Sequence, residues 1–157
     1  MQLKQQEFNL DGGLYAVSFE ELHYKLKTKE VKMTDFRLKP ILSQAEFASL
    51  FDQVYDRNEL SIDNVEIQGI DSYALFEFGI INIDHIGIDG LTAAIFKDKT
   101  KPWNLDKKTV LPQKYLENMS QPIHVNGISI NNSKFYYSEK LPETEQLVEL
   151  AFENLKG

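Results

Sequence analysis

The chain contains no cysteine. Disulfides, thiolate nucleophiles and Cys-ligated metals are therefore excluded, while every redox compartment stays open. Basic residues are also in deficit, with 17 Lys and Arg against 24 Asp and Glu and a formal charge of −7. No basic stripe is available to release counterions from a phosphate backbone, so a nucleic-acid partner is excluded. The same balance weakens adsorption to anionic membrane surfaces by charge alone. No apolar run reaches the 18 or so residues that a membrane-spanning helix needs. No secretory leader is visible at Met1-Gln-Leu-Lys, so the leader or anchor of a secreted parent is expected outside this chain. The three histidines, His23, His85 and His124, have no His-x-His or His-x-x-His spacing, which argues against zinc. Gly-x-Gly-x-x-Gly, P-loop and Gly-x-Ser-x-Gly motifs are all missing.

What is present is a repeated alternation. In Ile81-Asn-Ile-Asp-His-Ile-Gly-Ile-Asp-Gly-Leu91, apolar residues fall at 81, 83, 86, 88 and 91. Period two marks a strand with one buried face, and a step of three throws the next pair onto the other face. A β-bulge at Asp84-His85 restores one apolar face; the other option is a corner, where the strand bends from one sheet into another. The same frame recurs as Val17-Phe19-Leu22-Tyr24, Val31-Met33-Phe36-Leu38, Leu60-Ile62-Val65-Ile67 and Ile123-Val125-Ile128-Ile130, and is truncated in Leu150-Phe152-Leu155. The skips hold Glu20-Glu21, Thr34-Asp35, Asp63-Asn64, Asn126-Gly127 and Glu153-Asn154, and are read here as one shared slot that shapes the strand.

Read along the chain, residues 1–13 form a polar lead-in without regular structure. A hairpin follows, with strands over 14–26 and 30–41 around Thr28-Lys29. Ser43-Gln-Ala-Glu46 is a capping box, and Phe47, Leu50, Phe51 and Val54 follow at helical spacing, so a helix is predicted over 43–55. Strands are predicted over 59–70 and 73–78, and the 81–91 strand is expected to run on through Thr92-Ala-Ala-Ile-Phe96. A loop covers 98–109, and a second helix is predicted at about 112–119, with Pro112 at its first position. Strands over 123–130, 134–139 and 146–155 complete the chain. The predicted fold is mainly β (α+β): a curved, bulged, largely antiparallel sheet of β repeats with two short amphipathic helices. Val17-Ser-Phe-Glu-Glu-Leu22 resembles Leu150-Ala-Phe-Glu-Asn-Leu155. Residues 1–157 therefore read as a single segment cut from a longer array.

The candidate carboxylates are Asp63, Asp71, Asp84, Asp89 and Asp98, several of them at turns, where Asp satisfies its own backbone. Calcium would need them to converge on one point, and no pocket motif accompanies them. The aromatics, including Phe47, Phe51, Tyr55, Phe135 and Tyr137, read as packing residues.

The run Leu60-Ser-Ile-Asp-Asn-Val-Glu-Ile-Gln-Gly, then 81–91 leading into Ala94-Ile-Phe-Lys-Asp-Lys99, then Pro122-Ile-His-Val-Asn-Gly-Ile-Ser-Ile130, and finally Leu150-Ala-Phe-Glu-Asn-Leu155, resembles the AsmA-like envelope proteins of Gram-negative bacteria, especially those of Bacteroides-type organisms. The likeness covers most of 14–157. It implies a periplasmic protein whose parent is anchored in the inner membrane and whose β repeats form an apolar groove. Such a protein is implicated in phospholipid transport or outer-membrane assembly, with no catalytic residue and no cofactor. The implied partners are phospholipid acyl chains and neighbouring repeats of the same parent chain. The inward apolar set it points to is Val65, Ile67, Ile81, Ile83, Ile86, Ile88, Ile128 and Ile130. The alternative expectation is an envelope interaction module with a closed core and no ligand. Whether the helices fill the apolar face or leave it open is the question the structure has to answer.

Overall fold

A computed structural model describes residues 2–103, 121–144 and 146–157. The predicted helix at 112–119 lies outside these described residues. The chain forms one open mixed sheet, with strands β1 (Gln2–Leu10), β2 (Tyr15–Lys25), β3 (Glu30–Pro40), β4 (Tyr55–Gln68), β5 (Ile81–Asp89), β6 (Thr92–Asp98), β7 (Ile123–Asn131), β8 (Ser133–Lys140) and β9 (Leu147–Leu155). Two short helices are present among the described residues, α1 (Gln44–Ser49) and α2 (Ser72–Phe78). Neighbouring strands are antiparallel, except that β5 runs parallel to β7 and β6 parallel to β8.

β4 is long enough to pair with two strands. Its first half lies against β6, with Ser61 opposite Thr92, and its second half against β5, with Asn64 opposite Asp89. β5 and β6 thus lie end to end as one interrupted strand, as the continuation of the 81–91 stretch through Phe96 anticipates. β7 and β8 repeat the arrangement on their far side, and β9 closes the row beyond β8. β1 and β9 end the longer row, and β7, which pairs only with β5, is a third edge.

Residues 2–10, expected as an unstructured lead-in, form β1 and pair with β2 over the whole strand. Their polar composition hid a strand at the sheet edge, where few side chains need covering. Residues 73–78, expected as a strand, form α2. Asp71 accepts hydrogen bonds from the amides of Tyr73 and Ala74 at 3.1 Å each, and Gly79 ends the helix in the left-handed region at φ 67°. An N-cap carboxylate and a glycine C-cap bracket these residues, and the caps override the strand-like aromatics. The capping box of α1 forms as expected, with the Ser43 amide donating to Glu46 at 3.0 Å and the Glu46 amide to Ser43 at 3.3 Å. The helix ends at Ser49, well short of residue 55. Phe51 instead stacks on Tyr55 at 5.1 Å, which draws the chain into β4. Lys101 reaches back to the carbonyls of Ala48 and Phe51, satisfying acceptors that the helix end leaves open.

The breaks in the apolar pattern fall on two lines across the sheet, not in one slot. The first passes Gln5, Glu20, Asp35, Asp63, Gly90 and Asn132. Registers on its two sides agree at each pairing: Ser18 faces Arg37 and Glu21 faces Thr34, while Phe36 faces Ile62 and Thr34 faces Asn64. Both strands of each pair therefore carry the same number of residues through the break. The expectation of bulges fails at this line, because no strand has an extra residue relative to its neighbour, and so does that of a corner between two sheets, because all nine strands stay in one sheet; neighbouring strands step together instead. Gln5, Asp35, Gly90 and Asn132 pass the line with φ of 39°, 52°, 70° and 50°, whereas β2 and β4 cross it without a left-handed residue. A shift of register occurs only between β8 and β9, next to Asn154 at φ 58°. The second line joins Gly69, Asp84 and Asn126. It takes in the opening frame and the Asn126-Gly127 frame, which separates them from the other four.

At each line a left-handed glycine lies under an aspartate. A Cβ on Gly69 would come within 1.9 Å of Asp84 Oδ2, and one on Gly90 within 2.1 Å of Asp63 Oδ2, whereas one on Gly87 would meet nothing nearer than 3.8 Å. Gly69→Ala and Gly90→Ala are each expected to lower unfolding free energy by about 1–3 kcal/mol through backbone strain. Gly87→Ala should be neutral or slightly stabilising. Chemical denaturation of the three variants reads the difference.

Candidate apolar binding face

Strand registers place the apolar residues of the frames in rows across the sheet. On one side of the first line, Phe8, Val17, Leu38, Leu60, Ala93, Phe135 and Phe152 stand opposite one another from β1 to β9. On the other side, Leu3, Leu22, Met33, Val65, Ile88 and Ile130 form one row. Tyr24, Val31, Ile67, Ile86 and Ile128 form the next. Rows one residue out of phase are polar: Glu7, Ser18, Arg37, Ser61, Thr92 and Lys134 above the line, and Gln2, His23, Lys32, Glu66, Gly87 and Ser129 below it.

The apolar rows share one face in spite of the break. A hollow of about 280 Å³ is lined by Leu91, Ala93, Ser133, Lys134 and Phe135 from above the line, Ile130 from below it, and Leu155, Lys156 and Gly157 at the end of the chain. A separate, smaller hollow gathers Arg37, Lys39, Glu59, Ser61 and Thr92, members of the polar rows and their neighbours. One side of the sheet is thus apolar across both halves, and the other carries charge, including the cross-strand pair Lys32–Glu66 at 3.1 Å.

Six of the expected inward residues come together as two cross-strand triplets: Val65, Ile88 and Ile130, and Ile67, Ile86 and Ile128. Ile81 and Ile83 lie beyond the second line, opposite Ile123 and Val125. None of the eight is fully buried, and Ile128 is 57% exposed. Leu38, Leu60, Phe135 and Phe152 also belong to this face although they are outside the expected set. Leu38 and Leu60 stand in frames of their own, but only the strand register shows that they join the isoleucines.

Nothing among the described residues forms a second layer over this face. Among the described residues, buried apolar side chains are confined to Phe47, Tyr55 and Ala74. Phe47 of α1 packs against Tyr15, Phe51 and Tyr55 at centroid distances of 5.7, 5.2 and 5.6 Å, capping one end of the sheet. α2 rests on β5 and leaves Tyr73, Phe76 and Phe78 exposed. The total accessible surface is 10980 Å². A compact chain of 18.1 kDa would expose about 8,000 Å², so the chain as a whole exposes about a third more.

The polar features at the breaks are local. Asn132 donates to Asp89 at 2.7 Å, Asn126 to Asp84 at 3.4 Å, and His85 Nε2 lies 2.9 Å from Ser129 Oγ. Asp84 and Asp89 serve different lines. Among the described residues no group of three His, Asp or Glu side chains is placed to hold a metal, and no helix is long and apolar enough to cross a membrane.

The apolar face ends above in a charged row of Asp56, Lys97 and Glu139. Lys97 pairs with Asp56 at 3.1 Å, and Lys99 with Glu139 at 2.6 Å. Tyr137 donates to Glu139 at 2.7 Å. Burial, and then this bond, push the Tyr137 phenol up to about 12. The bonds from Lys99 and then Tyr137 hold the Glu139 carboxyl below its ordinary 4.5.

No protein-family model matches this chain, and neither a curated protein nor a solved structure is significantly similar to it.

A carboxylate with a lowered pKa adds stability that is fully present above its unfolded value and is lost as pH falls through the lowered one. Thermal unfolding midpoints should therefore drop as pH falls from 5 to 3, and the drop should be smaller in Glu139→Gln. An unchanged slope in that variant would show that the rim bonds contribute nothing to the acid sensitivity.

Proposed function

We infer that this chain is a non-enzymatic lipid-holding segment, and that its apolar sheet face receives the acyl chains of phospholipids. The observation that carries this reading is the set of three apolar rows running across the sheet with no covering layer among the described residues. Apolar surface left in water is unfavourable by about 25 cal/mol per Å². A face of this extent needs a partner, since solitary apolar patches on monomers seldom exceed a few hundred Å². Acyl chains fit the demand in kind. They bring no hydrogen-bonding groups, they are satisfied by half-buried Ile, Leu, Val and Phe, and each buried CH₂ contributes about 0.8 kcal/mol. The charged row at Asp56, Lys97 and Glu139 gives the face a polar rim. The resemblance of its frames to those of AsmA-like envelope proteins is in keeping with this reading, and we propose with it a periplasmic segment of a parent anchored in the inner membrane, with a role in lipid transport or outer-membrane assembly. The closed-core interaction module is disfavoured by the scarcity of buried apolar side chains among the described residues.

Native mass spectrometry of the gently purified chain should show adducts of phospholipid mass. Ile128→Glu combined with Phe135→Glu, on the apolar face, is expected to reduce bound lipid at least tenfold. Lys32→Gln, in a polar row and outside the apolar hollow, should leave it unchanged. Lipid-free wild-type protein under conditions that preserve known lipid complexes would overturn the reading.

A further inference from the structure

We propose that the free edge of β9 takes up β1 of a second copy of this chain, so that copies join head to tail into one longer sheet. The inference rests on strand pairing and is independent of what the apolar face binds. Among the described residues β1, β7 and β9 each pair with a single strand; β1 and β9 end the longer row, and both carry exposed apolar residues: Leu3, Phe8 and Leu10 on β1, and Val148, Leu150, Phe152 and Leu155 on β9. Unpaired edges with such side chains template the addition of further strands.

Three features select this partner and its register. The first is direction. With β5 to β8 contributing the parallel pairings, β9 runs opposite to β1, so simple repetition of the sheet places the next β1 antiparallel to β9 with the apolar rows still on one face. The second is likeness. β9 repeats β2, since Leu150-Ala-Phe-Glu-Asn-Leu155 matches Val17-Ser-Phe-Glu-Glu-Leu22, and β2 already pairs with β1 on one side and with β3 on the other. In those pairings Val17 faces Phe8 and Leu38, and Leu22 faces Leu3 and Met33. β1 and β3 are thus equivalent flanks of the same strand pattern, and β1 can stand beside β9 where β3 stands beside β2.

The third is the break. Carrying the β1–β2 register over to β9 sets Phe8 against Leu150, Leu10 against Val148 and Leu3 against Leu155. It also brings the left-handed Gln5, at φ 39°, opposite Glu153, as it now lies opposite Glu20. The two strands would then step together, which is the condition met at the pairings from β1 to β8. Because the two joined surfaces differ, the contact is heterologous and leaves a free β1 and a free β9 at the ends. Copies would add on, and the apolar rows would extend from one to the next.

The test uses two edge-blocked variants of the full chain, Phe8→Lys on β1 and Leu150→Lys on β9, both at half-exposed positions, with circular dichroism to confirm that each keeps its strands. Sedimentation velocity of the wild type should show mass rising with concentration. Each variant alone should need at least tenfold more protein to associate. An equimolar mixture should form a discrete heterodimer, because one intact β1 meets one intact β9. The double variant Phe8→Lys with Leu150→Glu should regain association through an opposite-charge pair. A wild type that stays monomeric at all concentrations, a mixture no heavier than its components, or a Leu150→Lys chain that still self-associates like wild type would each overturn the proposal.

Discussion

A three-residue step taken by neighbouring strands at the same place is the constraint on which the rest of this sheet depends. In a regular strand, side chains three apart point to opposite faces. A single strand with such a step would send half of its apolar residues into solvent, or would leave a bulged residue without a partner. Here the step at Gln5, Glu20, Asp35, Asp63, Gly90 and Asn132 is shared, so registers agree on both sides and the hydrogen-bonded ladder resumes after it. The polar skip residues follow from this. The backbone at the line leaves the pleat, and Asp, Asn and Gln offer short-range hydrogen bonds and tolerate left-handed conformations better than the β-branched residues on either side. Gly69 and Gly90, each overlain by an aspartate, mark where even these would not fit.

Keeping one face apolar in both halves has a consequence for packing. A sheet of this kind normally buries that face under helices or a second sheet. α1 and α2 are too short and too peripheral for that. One caps the end near Tyr15 and Tyr55, and the other rests against β5. The rows through Leu60 and through Val65 and Ile67 therefore stay half-exposed, and the chain shows more surface than its mass requires. Such a face can be completed by ligand, by more sheet, or by both. An acyl-chain ligand and the addition of strands at the edges are compatible, because one acts on the face and the other on the backbone groups of β1 and β9.

Much of this fold was legible before any coordinates, because period two is a local signal. The frames on β2, β3, β4 and β7 each announce a strand, and Ser43 with Glu46 announces α1. Elements resting on weaker local contrasts were not legible. Tyr73, Leu75, Phe76 and Phe78 satisfy a strand or a helix pattern equally, and the deciding signal lay outside them in Asp71 and Gly79. β1 carries Gln6 where its neighbours carry Phe19, Phe36 and Ile62, since an edge strand has less to cover. The division of the breaks into two lines was beyond local reading altogether. It depends on which residue faces which across the sheet, and a frame has the same appearance wherever its strand is placed. For the same reason the isoleucines of β5 and β7 were foreseen as one set, while Leu38, Phe135 and Phe152 join them only through the register.

The central claim is that apolar residues on both sides of the first line look out of a single open face. The absence of native cysteine allows a direct measurement, with single cysteines placed along β4 from 60 to 67 and labelled with an environment-sensitive fluorophore in the presence and absence of phospholipid. A lipid-dependent blue shift is expected at 60, 62, 65 and 67, with the phase jumping at Asp63-Asn64, and none at 61 or 66. Shifts that kept an unbroken alternation through 64 and 66, or that appeared on one side of the break alone, would contradict it.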